Sequence, residues 1–249
     1  MHAEVPHLQG AEIAAAYYGQ RVGGDFYDFL RVNPRRVLFG LLDVAGRLED
    51  NGEIVAAVQS DFRALGAELL APDQANEAEA MAQLCLKLNQ TLMKAAGGVR
   101  PCPAFAACYN EDLGILCYFN AGHTPGIVRD SHGVAELPAT GLPLGLFTHV
   151  ACDAALVALE PDAALMLVSR GVVEGRCKGP NAKGQEFGLE RAKFCLQNMD
   201  SGSAQEMSLA ILNQMQNFIC TPPTHNDVTA LVLLRDAPLP PSGIALDNR

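Results

Sequence analysis

Hydrophobic and polar positions follow two rhythms along this 249-residue chain. Residues 11–18 (AEIAAAYY) read as a strand entering the segment Val22-Gly23-Gly24-Asp25-Phe26-Tyr27-Asp28-Phe29. Val37 to Val44 is a nearly continuous apolar run, short enough to be a buried strand. A helical rhythm follows. Glu53 to Leu70 places Ile54, Val55, Val58, Phe62, Leu65 and Leu69 on one face, and Glu77 to Ala96 does the same with Met81, Leu84, Leu88 and Leu92. Gly97-Gly98 ends the second helix.

Short strands come next. Ala104 to Tyr109 and Ile115 to Asn120 are spaced as a hairpin across residues 110–114. Ile127 to Arg129 and Val134 to Leu137 flank Ser131-His132-Gly133, while Ala154 to Leu159 and Ala164 to Ser169 flank a turn containing Pro161-Asp162. Leu189 to Gln197 and Ala204 to Phe218 read as helices, and Asp227 to Leu234 as a last apolar strand. Such blocks do not alternate regularly, as a parallel βαβ fold requires. They predict an α+β protein with antiparallel sheets covered by pairs of helices. Residues 1–236 form one expected domain, and Pro238 to Arg249 reads as part of a loose tail over 237–249.

Composition narrows the partners. Hydrophobic residues make up 49% of the chain and charged residues 18%, enough for a large core. The net charge is −10, and no basic run appears, which argues against nucleic acid or anionic membrane as partner. The sequence has no signal-peptide pattern in residues 1–20 and no apolar stretch long enough to span a bilayer, so a cytoplasmic location is expected. Several of the eight cysteines lie in apolar stretches and no CxxC pair occurs, which predicts buried free thiols.

The candidate chemistry gathers at strand ends. Asp25 follows a glycine pair, and Asp43 ends the Val37–Val44 strand just before Val44-Ala45-Gly46. Two acids at the ends of neighbouring strands suggest a divalent-cation site. The plainer alternative is a pair of acids that cap turns or pair with arginine. Gly23-Gly24 reads as a bulge that aims Asp25, and Asp28 as support for the turn. His123 reads as a turn histidine ahead of a general acid, and His225 as a loop histidine.

Six segments together carry a resemblance: Val22 to Asp28, Asp43 to Gly46, Asn120-Ala121-Gly122-His123-Thr124-Pro125, Gly141 to Gly145, Phe187 to Arg191, and Asp227-Val228-Thr229. In this order they resemble the SpoIIE branch of the PPM-type metal-dependent protein phosphatases. The resemblance implies a four-layer α-β-β-α sandwich and an Mg²⁺- or Mn²⁺-assisted attack of water on phosphoserine or phosphothreonine. It also implies substrates that are phosphorylated anti-sigma-factor antagonists of partner-switching pathways. Carried over by residue, it makes Asp25, Asp43 and the Val44 backbone carbonyl metal ligands. Two further ligand positions depart from the family's pattern. Arg170 stands in Ser169-Arg170-Gly171-Val172 where the family has an acid, and Asn226 stands in Asn226-Asp227-Val228-Thr229 where it has another. Asp227, Glu174 and Gly24 remain as possible support. A guanidinium in place of a carboxylate repels a cation, so the expected metal site is weak or single, or holds no ion. The expected protein is a pseudophosphatase that binds a phosphorylatable antagonist-type partner. An active or weakly active enzyme is the alternative, and a structural domain whose acids only tie turns is the third reading.

Overall fold

The computed structural model describes residues 5–18, 24–177, 184–199, 202–219 and 227–237. Its strands are β1 (Ala11–Tyr18), β2 (Asp25–Asn33), β3 (Arg36–Asp43), β4 (Ala104–Asn110), β5 (Ile115–Ala121), β6 (Gly126–Asp130), β7 (Gly133–Leu137), β8 (Ala155–Ala158), β9 (Ala164–Val168) and β10 (Val228–Arg235). Its helices are α1 (Leu48–Leu70), α2 (Glu77–Ala96), the single turn α3 (Arg170–Val173), α4 (Gly188–Gln197) and α5 (Ala204–Ile219). Two five-stranded sheets form, in the orders β1-β10-β9-β6-β7 and β2-β3-β4-β5-β8. All strand pairs are antiparallel.

The strand patterns decide the layering. In β3, Val37, Phe39 and Leu41 point into the layer between the sheets, against Leu165, Leu167 and Leu231. Leu38 and Leu42 point the other way, into a layer with Val58 and Phe62 of α1 and Leu84 and Leu88 of α2. A strand covered on both faces needs apolar residues at every position, which is why this run does not alternate. The outer face of the other sheet packs Met166, Val168 and Val232 against Met207, Ile211 and Met215 of α5. The result is the four-layer α-β-β-α sandwich, with helices on both outer faces.

The structure corrects or extends the sequence reading at three points. First, α1 starts at Leu48 rather than Glu53, so the polar run before Gly52 is its first turn. Glu49 and Asp50 sit at the helix N-terminus, where negative charge is favoured. The side chain of buried Asn51 donates to the Ala45 carbonyl at 2.9 Å and so ties that turn to the end of β3. Second, the strands on either side of Pro161-Asp162 do not pair. β8 joins β5 in one sheet, whereas β9 lies between β10 and β6 in the other. Third, Asp28 does not support a turn. It is fully buried in β2 and paired with Arg63 of α1, whose Nε lies 2.6 Å from its Oδ2, and Gln59 donates to the same oxygen at 3.1 Å. The 238–249 stretch of the expected tail lies outside the described residues. No disulfide links the described cysteines, and all of them but Cys195 are buried.

Phe39 is fully buried in the layer that joins the two sheets. Phe39→Ala should lower stability by about 3–5 kcal/mol. Urea unfolding should show this as a lower midpoint with an unchanged slope.

Candidate functional site

Antiparallel pairing of β2 with β3 sets Asp25 directly opposite Asp43 at one end of that sheet. The other sheet brings its own strand ends to the same place. Val168, the last residue of β9, pairs with Ala230 of β10, so Ser169 and Arg170 lie beside Asp227 and Thr229. Ser169 fastens this end. Its Oγ donates to the Asp227 carbonyl and accepts from the Thr229 N–H, both at 3.0 Å. The Asp25 N–H reaches across to the other sheet and donates to Asp227 Oδ2 at 3.1 Å.

Three carboxylates and one guanidinium therefore share the cleft. Arg170 Nη2 lies 3.3 Å from Asp43 Oδ2, with the arginine side chain half exposed and the aspartate nearly covered. Burial, followed by the neighbouring charges of Asp43 and Asp227, holds the Asp25 carboxyl well above the usual carboxylate range. Burial also raises Asp43, but Arg170 and a hydrogen bond with Asp25 oppose the rise. Asp25 is thus the member of the pair that keeps a proton most readily. Its Oδ2 is sealed from solvent and has no hydrogen-bond partner.

Gly24 is required by the space around it. Its N-terminal neighbours lie outside the described residues, but its carbonyl accepts from the Val44 N–H at 3.1 Å. A Cβ at Gly24 would stand 1.9 Å from the Val44 carbonyl oxygen, a backbone atom that cannot move aside. Glycine at this position permits the close approach of the two backbones. Beyond it, Gly46 turns the chain with φ of +116°, and the Arg100 guanidinium joins Asn51 in binding the Ala45 carbonyl. Asn51 and Arg100 carried no sequence signal, because each binds a backbone oxygen, which no side-chain pattern marks.

His123 is buried in the turn after β5, where its N–H donates to Asn120 Oδ1 at 2.8 Å. The neighbouring Thr124 hydroxyl donates to the Val168 carbonyl, which links this turn to the end of β9. Burial lowers the His123 pKa from 6.5 to about 4. Glu174 is exposed at the end of α3 and is not among the groups that shift Asp25 or Asp43. Asn226 and His225 lie outside the described residues.

A profile of the family described as Stage II sporulation protein E (SpoIIE) matches residues 33–236. The chain belongs to the SpoIIE family. That match begins after Asp25, so Asp25 enters the site through its pairing with Asp43. A similar curated relative is the phosphoserine phosphatase RsbP of Bacillus subtilis, 24% identical over 162 residues. That alignment covers 64% of this chain and 39% of RsbP, so the chain spans about two-fifths of that relative. Among solved structures, the SiaA PP2C domain of Pseudomonas aeruginosa superposes with a TM-score of 0.75 at 18% identity, covering 90% of this chain and 86% of that one. RsbX, solved in complex with magnesium, superposes with a TM-score of 0.63 at 12% identity, covering 94% and 99%. These likenesses show the PP2C-type fold, and the family is one of metal-dependent protein phosphatases.

Several observations bear on a cation in the SpoIIE-type cleft. The orphaned Asp25 Oδ2 is the kind of oxygen that a hard divalent cation completes, and Asp43 faces it across the strand pair. Arg170 competes for Asp43, however, and Asp227 already accepts from a backbone N–H. Among the described residues, no three His, Cys, Asp or Glu side chains form a metal-holding group. The residues that would hold one ion are Asp25, Asp43 and the Val44 carbonyl.

Gly24→Ala should force β2 away from Val44 and disturb the cleft. A thermal melt should show a clear loss of stability, by about 2 kcal/mol or more. A neutral result would mean that the Val44 carbonyl is free to shift. His123 should contribute to acid sensitivity. Its pKa is lowered on folding, so the unfolded chain binds the proton first as pH falls through 6.5. The stability present above 6.5 is then lost progressively toward pH 4, by about 3 kcal/mol at most. His123→Gln should therefore flatten the stability profile between pH 7 and 4.5. Parallel profiles for the two proteins would contradict this.

Proposed function

We propose that this SpoIIE-type domain is a catalytically impaired phosphatase that works as a regulatory binding module in the cytoplasm. Its partner would be a phosphorylatable protein of the anti-sigma-factor-antagonist type. The observation that carries the reading is the Arg170–Asp43 ion pair. It places a fixed, tethered cation in the cleft where a diffusible one would have to bind. Asn226, at the other departing ligand position, keeps an oxygen but has no charge.

Arg170 suits a binding role. A half-exposed guanidinium can give two parallel hydrogen bonds to the oxygens of a phosphoryl group. Asp43 and Asp227 oppose an anion at the same spot, so the charges largely offset one another. Affinity then depends mainly on the protein surface around the cleft, with Arg170 setting any preference for the phosphorylated partner. The RsbP relative, named a phosphoserine phosphatase, supports a phosphoserine-bearing partner class.

A second reading is a weakly active single-metal phosphatase, favoured by the unpartnered Asp25 Oδ2. A bound Mn²⁺ or Mg²⁺ would supply a water of lowered pKa and polarise a phosphoryl oxygen. In that case Arg170 would leave Asp43 and orient the phosphoryl group, and Asp25 would give up its proton as the ion enters.

Calorimetric Mn²⁺ titration, run beside hydrolysis of a phosphorylated antagonist-type protein, separates the two. The impaired reading expects turnover far below ~1 per second. Arg170→Asp should tighten Mn²⁺ binding by about tenfold or more, roughly 1.4 kcal/mol. Arg170→Ala should narrow the difference in affinity between phosphorylated and unphosphorylated partner in a pull-down. Turnover in the ordinary enzyme range by the unmodified chain would overturn the proposal.

A further inference from the structure

The two sheets end in four edge strands, and three of these edges are blunted. In β2 the Asp25 N–H donates to Asp227 Oδ2, and the Phe29 N–H donates to Asp28 Oδ1 at 2.8 Å. In β1 the residues Ala11 and Ile13 are only 6% and 5% exposed. β7 carries the exposed Glu136, ion-paired with Lys193 at 2.9 Å. A charge on an edge strand discourages pairing with another chain. β8 has no such device. Its residues Ala155–Ala158 (ALVA) include no charge and no proline.

The hydrogen-bond phase of β8 follows from the bond at its end. The Leu159 N–H donates to the Gly114 carbonyl at 2.9 Å, in the same register that pairs Val157 with Leu116 and Ala155 with Tyr118. In an antiparallel ladder, residues that bond to the neighbouring strand alternate with residues whose N–H and C=O face away from it. Val157 and Ala155 therefore bond to β5. Leu156 and Ala158 turn their backbone groups outward, and among the described residues no strand meets them. Beyond the end of β8, the same edge of β5 is closed at Asn120, whose carbonyl accepts from the N–H groups of Thr140 and Gly141.

The side chains and charges beside this edge restrict what can cover it. Leu156 is 61% exposed, and Leu113, next to the Gly114 that holds the end of β8, is 62% exposed. Acids bracket the strand. Asp153 precedes it and Glu160 follows it, and no lysine or arginine occurs between Arg129 and Arg170. The Arg235 guanidinium reaches this end but is bound to the Leu159 carbonyl. A second copy of the chain does not suit this pattern. Two antiparallel β8 strands would bring Asp153 of each copy toward Glu160 of the other, between molecules that each carry a net charge of −10.

We propose that the outer edge of β8 is a docking site for an extended segment of a partner protein, apolar in its middle and carrying lysine or arginine at both ends. The segment adds as a further strand to the sheet of order β2-β3-β4-β5-β8. Its backbone groups pair with those of Leu156 and Ala158, its apolar side chains cover Leu156 and Leu113, and its basic ends meet Asp153 and Glu160. Main-chain bonds supply the affinity and the bracketing charges supply the selectivity. β8 is the edge opposite β2, so a strand added there does not cover Asp25.

The test uses the full chain and a labelled synthetic peptide of alternating valine and threonine with lysines at both ends, read by fluorescence anisotropy. The same peptide with glutamates at its ends is the comparison. The lysine peptide should bind saturably and at least about tenfold tighter than the glutamate peptide. Leu156→Pro removes an outward N–H and leaves the ladder to β5 in place, so it should weaken the lysine peptide by about tenfold or more. Leu156→Lys changes an exposed side chain and should weaken the same peptide comparably by repulsion. Circular dichroism checks the fold of each variant, and Leu156→Lys decides the matter if Leu156→Pro unfolds. The proposal fails if the lysine peptide does not bind at about 1 mM, if both peptides bind alike, or if Leu156→Lys leaves the affinity unchanged. It also fails if the chain alone sediments as a dimer that Leu156→Lys breaks, since a second copy is then the occupant.

Discussion

Strand β3 is buried on both faces along its whole length, and the rest of the molecule is arranged around that fact. Its odd and even side chains go to different cores, so a slip of one residue would exchange two complete sets of contacts. The register is therefore fixed, and with it the position of Asp43 at the strand's end. β2 inherits the register through its pairing, which sets Asp25 opposite Asp43. Gly24 then allows β2 to approach the Val44 backbone closely. An acid pair that would be mobile on a surface loop is held here by apolar packing some distance away.

This rigidity has an electrostatic cost. Asp25, Asp43 and Asp227 meet in a place with little water, and Asp43 and Asp227 both raise the energy of charging Asp25. Three responses are open to such a cluster: keep a proton, bind a cation, or recruit a basic side chain. Asp25 illustrates the first and Arg170 the third. An arginine tied to the backbone is at high effective concentration and needs no ion from solution. It also remains half exposed, so it can exchange Asp43 for another anion more readily than a buried partner could. The same pair thus satisfies the cleft at rest and leaves a cationic group at its mouth.

The two-sheet construction distributes these groups in a useful way. Asp25 and Asp43 come from one sheet, while Ser169, Arg170 and Asp227 come from the other. The Asp25 N–H to Asp227 bond and the Thr124 to Val168 bond act as ties at that end. α2 and the loop behind it form a separate layer, joined through Asn89. The Arg100 guanidinium, just beyond α2, also joins that layer to the cleft by binding the Ala45 carbonyl.

By itself, the sequence determined the elements and the chemistry that they could carry. The apolar run of β3, the helical spacing of α1 and α2, and the strand-end acids all follow local rules of period and length. The order of the motifs pointed to the SpoIIE family before any contact was visible. The substitution of Arg170 for an acid was also legible, because it lies inside a recognisable run. What only the tertiary structure decided depends on partners distant in sequence. Asp28 meets Arg63 of α1 rather than a turn, since β2 lies under that helix. The polar run after Gly46 became a helical turn, because Asn51 could bond to carbonyls at the end of β3. Strands β8 and β9 separated into different sheets, because one is edge-exposed and the other buried on both faces, a difference that their short lengths conceal.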